Sequence, residues 1–193
     1  MDEESLRSEL VSICRKLIIY NLTYASLGNV SVRAGNFVLI TPSGVRFDLL
    51  RPAEIVKVNL EGNVIGNGRP SVELSMHLEI YKSIPSAGAI IHAHAPYSTV
   101  LGSVMGDITF PNEEAKVFHV EKIPVCPAAP SGTTELAKNV ANSLRNSKAT
   151  IIPNHGVVVY GRNLHEALSI LEIIENLSKM RIIGLFLKKI VNM

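Results

Sequence analysis

The sequence predicts an α/β fold of the α+β type, a three-layer sandwich of helices around a mostly antiparallel central sheet. Short apolar segments with every-second-residue alternation occur in hairpin order, separated by turns rich in Gly and Asn. Longer segments with apolar residues three or four positions apart are interleaved with them. No internal repeat or linker divides the chain, so residues 1–193 are predicted to form a single domain.

The elements of the first half of the chain follow from this periodicity and from the turn residues. In order they are a helix over residues 6–20, strands over 29–33 and 37–40, a short helical segment over 52–55, a hairpin that pairs 57–60 with 64–65, and a helix with Leu74, Leu78 and Tyr81 on one face. Ser71 is expected to be the N-cap of this last helix, because a serine hydroxyl can accept a hydrogen bond from a first-turn N–H.

The second half is interpreted in the same way. It contains a strand over 89–94, a helix over 96–105, a loop over 107–119 that leads into a strand, a helix capped by Thr133, strands over 149–152 and 157–160, and a long helix capped by Asn163. The final helix is apolar over more than half of its circumference, which suggests a subunit interface.

Composition and charge exclude several classes of function. Lys and Arg total 19 against 17 Asp and Glu, and the basic residues are spread along the chain, so no nucleic-acid partner is expected. The longest uncharged stretch, residues 83–106, contains two prolines and two histidines and is not a membrane segment. Cys14 and Cys126 show no metal or redox spacing and are expected to be buried. With an acidic N-terminus in place of a secretory signal, they predict a cytoplasmic protein.

Three histidines form the strongest functional signal. His92 and His94 are two positions apart on a predicted strand, so both imidazoles point to the same side and can reach one metal ion. His155 lies in a turn between two apolar strands, where functional residues are common. Three neutral imidazoles with an open position form the pattern of a catalytic zinc site. The alternative is that His92 and His94 are structural polar residues.

A carboxylate and two small-residue turns add weaker signals. Glu73 lies near the start of its helix, where it could act as a base, or where its carboxylate could simply be stabilised by the helix dipole. The turns 26–29 and 41–44 offer hydroxyl and N–H groups that can enclose a phosphate, although each alone could be an ordinary turn. His77, His119 and His165 are expected to be half-exposed surface residues.

Five motifs taken together resemble the class II aldolase/adducin-head family. They are Gly28-Asn29-Val30-Ser31, Ile40-Thr41-Pro42-Ser43-Gly44, Pro70-Ser71-Val72-Glu73, His92-Ala93-His94 and Asn154-His155-Gly156, and they occur in the order that the family has. The resemblance covers residues 5–180 and is greatest to the members that cleave L-fuculose 1-phosphate. It implies the class II aldolase-like fold and homotetramers with active sites at subunit interfaces.

The resemblance also implies roles for individual residues. His92, His94 and His155 would bind Zn²⁺ or another divalent metal, with Glu73 as fourth ligand and then as acid/base. The phosphate of a small phosphorylated sugar would be held by Ser26, Gly28, Asn29, Ser43, Gly44 and Ser71. The implied reaction is cleavage or formation of the aldol bond of a ketose phosphate such as L-fuculose 1-phosphate, giving dihydroxyacetone phosphate and lactaldehyde. Zinc would stabilise the enediolate.

The sequence departs from the family pattern at three positions. Val72 replaces a second serine, Ser131 replaces a phenylalanine near the aldehyde pocket, and Glu113 stands where a tyrosine acid is usual. Glu113 or Glu114 is therefore a hypothetical contact to the leaving end of the substrate. Three other functions remain open: a sugar-phosphate dehydratase, a 4-epimerase (which has Asp where Glu73 stands), and a non-catalytic adducin-like module.

Overall fold

The computed structural model describes residues 2–192 and contains a mostly antiparallel central sheet, as predicted. The strands among these residues are β1 (Asn29–Ala34), β2 (Phe37–Ile40), β3 (Val56–Asn59), β4 (Ala89–Ala93), β5 (Ile108–Thr109), β6 (Lys122–Ile123), β7 (Ala149–Ile152) and β8 (Gly156–Gly161). Six of them form one sheet in the order β3-β2-β1-β4-β8-β7, and every neighbouring pair is antiparallel. Strands β5 and β6 pair separately.

The helices cover both faces of the large sheet. They are α1 (Glu3–Ile19), α2 (Leu74–Ser83), α3 (Pro96–Met105), α4 (Glu113–Phe118), α5 (Thr134–Ser143) and α6 (Leu164–Val191). Buried residues of α1, α3, α4 and α6 form one apolar cluster, and those of α2 and α5 form the other. The two clusters confirm the predicted three-layer sandwich.

Strand β4 shows why the sheet is apolar on both sides. Ile90 and Ile91 are both fully buried, yet they belong to different clusters because successive side chains of a strand point to opposite faces. Burial on both faces explains the continuous apolar sequence of this strand. The prediction of one domain over 1–193 includes positions 1 and 193, which lie outside the described residues.

The central strands and α2 together position the candidate site. Asn29 of β1 lies opposite His92 of β4, and Ser31 lies opposite Ile90. Since Ile90 belongs to the cluster under α2, the register places these polar residues on the α2 side of the sheet. Helix α2 thus faces a row of polar groups at the end where β4 runs into His94.

Two predictions about the elements are wrong. Ser71 is not the N-cap of α2, because the helix begins at Leu74 and a turn precedes it, in which the Leu74 N–H is donated to the carbonyl of Ser71. Residues 107–119 are not a loop, since they contain β5 and α4. A six-residue helix such as α4 is too short to show a helical period in the sequence, and tertiary packing of Ala115 holds it in place.

Both cysteines are buried and unpaired, as predicted. Within residues 2–192, no helix has the combination of length and apolar character that crossing a bilayer would require.

Candidate metal centre and active site

Three histidines from two parts of the chain converge at one end of the sheet. His92 lies on β4, His94 follows the end of that strand, and His155 lies in the turn between β7 and β8. Their ring centroids are 5.1 Å apart for His92 and His94, 4.8 Å for His92 and His155, and 4.9 Å for His94 and His155. The structure therefore brings together all three residues that the sequence proposed as metal ligands.

One hydrogen bond decides which nitrogen His92 presents to the cluster. Its Nδ1 lies 3.1 Å from the carbonyl oxygen of Val157, which can only accept, so Nδ1 carries the proton and donates. The neutral ring then has its lone pair on Nε2, which faces His155. Histidines that bind metals commonly have their other nitrogen fixed in this way.

The spacing of the candidate ligand atoms fits a single divalent ion. One nitrogen from each of the three histidines lies within 4.8 Å of the others. The Nε2 of His92 is 3.3 Å from the Nε2 of His155 and 3.4 Å from Oε2 of Glu73. Ligand atoms about 2.0–2.1 Å from a tetrahedral zinc ion lie about 3.3–3.4 Å from one another. The two short distances thus match edges of one coordination tetrahedron.

Burial keeps the imidazoles in the form that binds metals. Burial lowers the pKa of His92, which is fully buried, below its ordinary value. Burial, followed by the neighbouring His92 and His155, lowers the pKa of His94 to about 4. Both rings are therefore neutral at physiological pH, with a lone pair available for a cation.

Glu73 lies directly before α2, and each of its carboxylate oxygens has a partner. Oε2 accepts a hydrogen bond of 2.8 Å from Nδ2 of Asn29, and Oε1 accepts one of 3.3 Å from the hydroxyl of Ser131. Burial acts to raise the pKa of Glu73, but attraction to His92 in its protonated form, the Asn29 hydrogen bond and attraction to protonated His155 bring that pKa below its ordinary value. Only 4% of Glu73 is exposed, so the carboxylate is held in one orientation beside the histidines.

Three turns beside the site, 26–29, 41–44 and 70–73, contain the predicted phosphate-binding residues. Hydrogen bonds between backbones join them: Phe47 to Ala25, Ser43 to Arg69, and Ser71 to Thr41. The N–H groups of Ser43 and Ser71 are already donated to carbonyls. At these two residues an anion would therefore be bound by the hydroxyl and not by the backbone N–H. Ser26 and Gly44 are exposed and Ser43 is half-buried, whereas Ser71 is buried and its hydroxyl accepts the Glu73 N–H.

Gly28 is required by its position next to a metal-ligand candidate. Its φ is +84°, and a Cβ added there would lie 2.5 Å from the carbonyl oxygen of His92. Both observations exclude other residues, because L side chains rarely adopt this conformation and the backbone of His92 leaves no space. The turn 26–29 is therefore packed directly against the strand that carries His92.

His77 differs from its prediction as a half-exposed surface residue. It is fully buried, with Nε2 2.5 Å from Oδ1 of Asn29 and Nδ1 2.6 Å from the hydroxyl of Ser31. The Ser31 hydroxyl is also 2.8 Å from that of Tyr81. The sequence does contain a signal for this set of hydrogen-bonded side chains. Glu73, His77 and Tyr81 are four residues apart, so they line up along one side of α2 and the residue before it. Asn29 and Ser31, two positions apart on β1, face them.

Glu113 and Glu114 are exposed on α4. Glu113 forms an ion pair of 2.6 Å with Lys116, whose side chain is also largely exposed. The described contacts within the chain do not bring either glutamate to the histidines. A role for them at the substrate remains a prediction.

Comparison with known proteins agrees with this arrangement. The family model for the Class II Aldolase and Adducin N-terminal domain matches residues 8–182. The L-fuculose phosphate aldolase of Methanococcus maripaludis (strain S2) is 35% identical over 176 residues, which cover 91% of this chain and 96% of that protein. The 5-methylthioribulose-1-phosphate/5-deoxyribulose-1-phosphate aldolase of Rhodospirillum rubrum is 34% identical over 175 residues, or 91% of this chain and 79% of that one.

A solved structure gives the same result for the fold. The structure of an L-fuculose 1-phosphate aldolase superimposes with a TM-score of 0.88 at 32% sequence identity. The match covers 95% of this chain and 88% of that chain. The predicted class II aldolase-like fold is therefore confirmed.

Proposed function

Because the chain belongs to the Class II Aldolase and Adducin N-terminal domain family and is a class II aldolase, we propose that it cleaves or forms the aldol bond of a ketose 1-phosphate such as L-fuculose 1-phosphate. The products of cleavage are dihydroxyacetone phosphate and an aldehyde, lactaldehyde in the case of L-fuculose 1-phosphate. The observation that carries this proposal is the buried carboxylate of Glu73, 3.4 Å from Nε2 of His92 in a cluster of three histidines.

The histidine cluster supports the assignment of Zn²⁺, although the same donors also suit cobalt or manganese. His92, His94 and His155 would hold the ion, and Glu73 would be a fourth ligand. When bound, the ion supplies Lewis-acid stabilisation of the negative charge that bond cleavage leaves on the phosphorylated fragment.

Glu73 carries the proton in this proposal. In synthesis its carboxylate removes a proton from the carbon that attacks the aldehyde, and the aldehyde oxygen gains a proton from solvent. In cleavage the hydroxyl proton is released to solvent as the aldehyde forms, and Glu73 returns its proton to the carbon that has lost the aldehyde. Asn29 and Ser131 each donate a hydrogen bond to one carboxylate oxygen. The carboxyl group that gives and takes the proton is therefore held in one place. A proton carrier must lie within hydrogen-bond reach of the reacting atom. The hydrogen bonds to both carboxylate oxygens and the burial of the side chain limit how far Glu73 can turn.

The three joined turns hold the substrate phosphate in this proposal. Ser26, Ser43 and Ser71 supply hydroxyls, Gly28 and Gly44 allow a close approach of the backbone, and Asn29 supplies an amide N–H. The start of α2 at residues 73–74 adds a favourable dipole for an anion. A phosphate bound here is remote from the breaking bond and serves to orient the reacting end.

A second substrate class is favoured by one relative and one residue. The R. rubrum relative is named for 5-methylthioribulose 1-phosphate and 5-deoxyribulose 1-phosphate. Ser131, which is expected where the fuculose-specific pattern has a phenylalanine, is much smaller and leaves room for a different aldehyde. Cleavage of either kind of ketose 1-phosphate releases the same dihydroxyacetone phosphate.

The test is an assay of dihydroxyacetone phosphate release from L-fuculose 1-phosphate and from 5-deoxyribulose 1-phosphate, on protein whose metal content has been measured. Glu73→Gln should reduce kcat by about 100-fold or more, because proton transfer is lost, while the three histidines and the amide oxygen of the new glutamine still hold the metal. Glu79→Gln, on the same helix but away from the histidines, is the matched control and should be fully active. Protein that binds metal but cleaves neither substrate would contradict the proposal and direct the search to dehydratase or epimerase substrates.

We also propose a cytoplasmic homotetramer of one catalytic domain per chain, with active sites between subunits. An apolar groove of about 440 Å³ between α3 and α6 supports the assembly; its lining includes Val104, Leu185 and Phe186. Exposed apolar grooves of this kind commonly mark protein interfaces. The two unpaired cysteines support a reducing compartment.

A further inference from the structure

A chain of buried hydrogen bonds runs from Glu73 into the interior beneath α2. Asn29 Nδ2 donates to Glu73 at 2.8 Å, and Asn29 Oδ1 lies 2.5 Å from His77 Nε2. His77 Nδ1 lies 2.6 Å from the Ser31 hydroxyl, which is 2.8 Å from the Tyr81 hydroxyl. Each of these five side chains is at most 4% exposed. The chain therefore operates with no competition from water.

Elementary chemistry determines the direction of every bond in this chain. An ionised Glu73 can only accept, so Asn29 must present its NH₂ group to the carboxylate and its oxygen to His77. The oxygen of Asn29 can only accept, so His77 Nε2 carries the proton. A neutral imidazole then accepts at Nδ1, which requires Ser31 to donate its hydroxyl proton and to accept from Tyr81. Only one arrangement of donors satisfies all the groups.

We propose that His77 is a positioning residue that holds the amide of Asn29 with its NH₂ group toward the active site. This inference rests on the proposed function and assigns a task that the metal ligands do not perform. An amide NH₂ has two hydrogens, and one is donated to Glu73. The second is left for an oxygen of the substrate. His77 thereby fixes both the carboxylate and one substrate contact through a single side chain.

The alternative, that this chain conducts protons to Glu73, is disfavoured by its chemistry. The amide of Asn29 lies between His77 and Glu73, and an amide does not readily accept and release a proton at neutral pH. An ordinary structural role is also a weak explanation, since replacing both partners of a buried hydrogen bond by apolar groups of the same shape can leave stability nearly unchanged. A need to orient Asn29 explains why the buried residues His77, Ser31 and Tyr81 are polar.

Kinetics of three variants distinguish positioning from general support of the fold. His77→Met keeps the size of the side chain and removes the donor, and we expect kcat/KM to fall about 10-fold or more. His77→Gln can place an N–H near the position of Nε2 and should recover most of this loss. In an Asn29→Ala background, His77→Met should add less than about 2-fold, because the residue on which it acts is gone.

A second measurement is independent of activity. In ¹H–¹⁵N spectra of the wild-type protein, His77 should be protonated at Nε2 and unprotonated at Nδ1. The side-chain NH₂ of Asn29 should exchange slowly with water, and this protection should be lost in His77→Met but kept in His77→Gln. Melting curves and metal content identify any variant that has simply failed to fold.

The outcomes separate the two proposals. A His77 ring protonated at Nδ1, or losses from His77→Met and Asn29→Ala that multiply fully, would overturn the positioning role. If the wild-type protein cleaves neither ketose phosphate while His77 shows the expected tautomer and Asn29 the expected protection, the proposed substrate fails and the positioning of Asn29 stands.

Discussion

The Nε2 atoms of His92 and His155 lie 3.3 Å apart, although 63 residues separate the two histidines in the chain. The antiparallel pairing of β4 with β8 brings them together, since Ala93 lies opposite Val157 and the turn that carries His155 directly precedes β8. The Nε2 lone pair of His92 points toward His155 at this distance, and the three histidines could share one cation. The first prediction tests this arrangement.

His155→Ala should weaken metal binding by about 100-fold or more, because loss of a ligand costs more than loss of an outer-shell partner, which costs 10–100-fold. The measurement is metal content by elemental analysis after dialysis, together with competition against a chelator. His165→Ala, which removes an exposed imidazole, is the control and should retain the metal. Equal metal content in the two variants would contradict the assignment of His155.

Gly28→Ala should disturb the metal site as well as the turn. The added Cβ meets the carbonyl oxygen of His92 at 2.5 Å, and the φ of +84° adds backbone strain. We expect a loss of stability of about 2 kcal/mol or more, with weakened metal binding. Gly35→Ala is a matched control, because it has a φ of +59° but open space around the new Cβ. If the two variants lose equal stability and metal, the contact with His92 is unimportant.

Ser131→Ala should lower kcat by roughly 3- to 10-fold and leave the bound metal unchanged. The variant removes the hydroxyl that donates to Oε1 of Glu73 at 3.3 Å, a hydrogen bond to a charged group that is long and partly exposed. Ser131→Thr keeps a hydroxyl and should be closer to the wild-type protein. Steady-state kinetics with either substrate provide the measurement, and identical kcat values for wild type and Ser131→Ala would refute this role.

The stability of the metal-free protein should depend on pH through His77. Burial lowers the pKa of His77 to about 3, whereas an unfolded histidine titrates near 6.5. Between these values the unfolded chain binds a proton that the folded chain does not, so the free energy of unfolding decreases as the pH falls below about 6.5. One proton corresponds to about 1.4 kcal/mol per pH unit.

His77→Gln cannot take up this proton and should lose about that much of the slope between pH 4 and 6. Urea unfolding at a series of pH values measures the slope directly. Asn146→Gln changes an exposed residue that does not titrate and should show the wild-type slope. The same slope in His77→Gln and wild type would mean that another group causes the acid sensitivity.

Phe186→Glu should reduce the size of the assembly. Phe186 is 65% exposed and lines the apolar groove between α3 and α6, so a charge there would be buried unpaired in any interface formed by the groove. Light scattering coupled to size-exclusion chromatography gives the mass. Val64→Glu, outside the groove, is the control. A wild-type mass for Phe186→Glu would exclude the groove from the subunit interface.

The sequence predicted most of the fold because most elements are long or strongly periodic. The alternation in β1 and the capping residues Thr133 and Asn163 are local signals, and the structure contains them where they were expected. Helix α4 was missed because it is held by tertiary contacts of Ala115 rather than by its own pattern. Ser71 was misassigned because a turn, closed by the hydrogen bond from the Leu74 N–H to the carbonyl of Ser71, precedes the helix.

By itself, the sequence determined the fold class and predicted which residues could bind a metal, since side-chain type and period-two spacing already place His92 and His94 on one side of a strand. Tertiary structure alone decided how these groups interact. The orientation of Asn29, the burial of His77 and the contact of Ser131 with Glu73 depend on which elements pack together. Such packing changes the surroundings of a residue without changing the local sequence, and the surroundings control hydrogen bonding and charge.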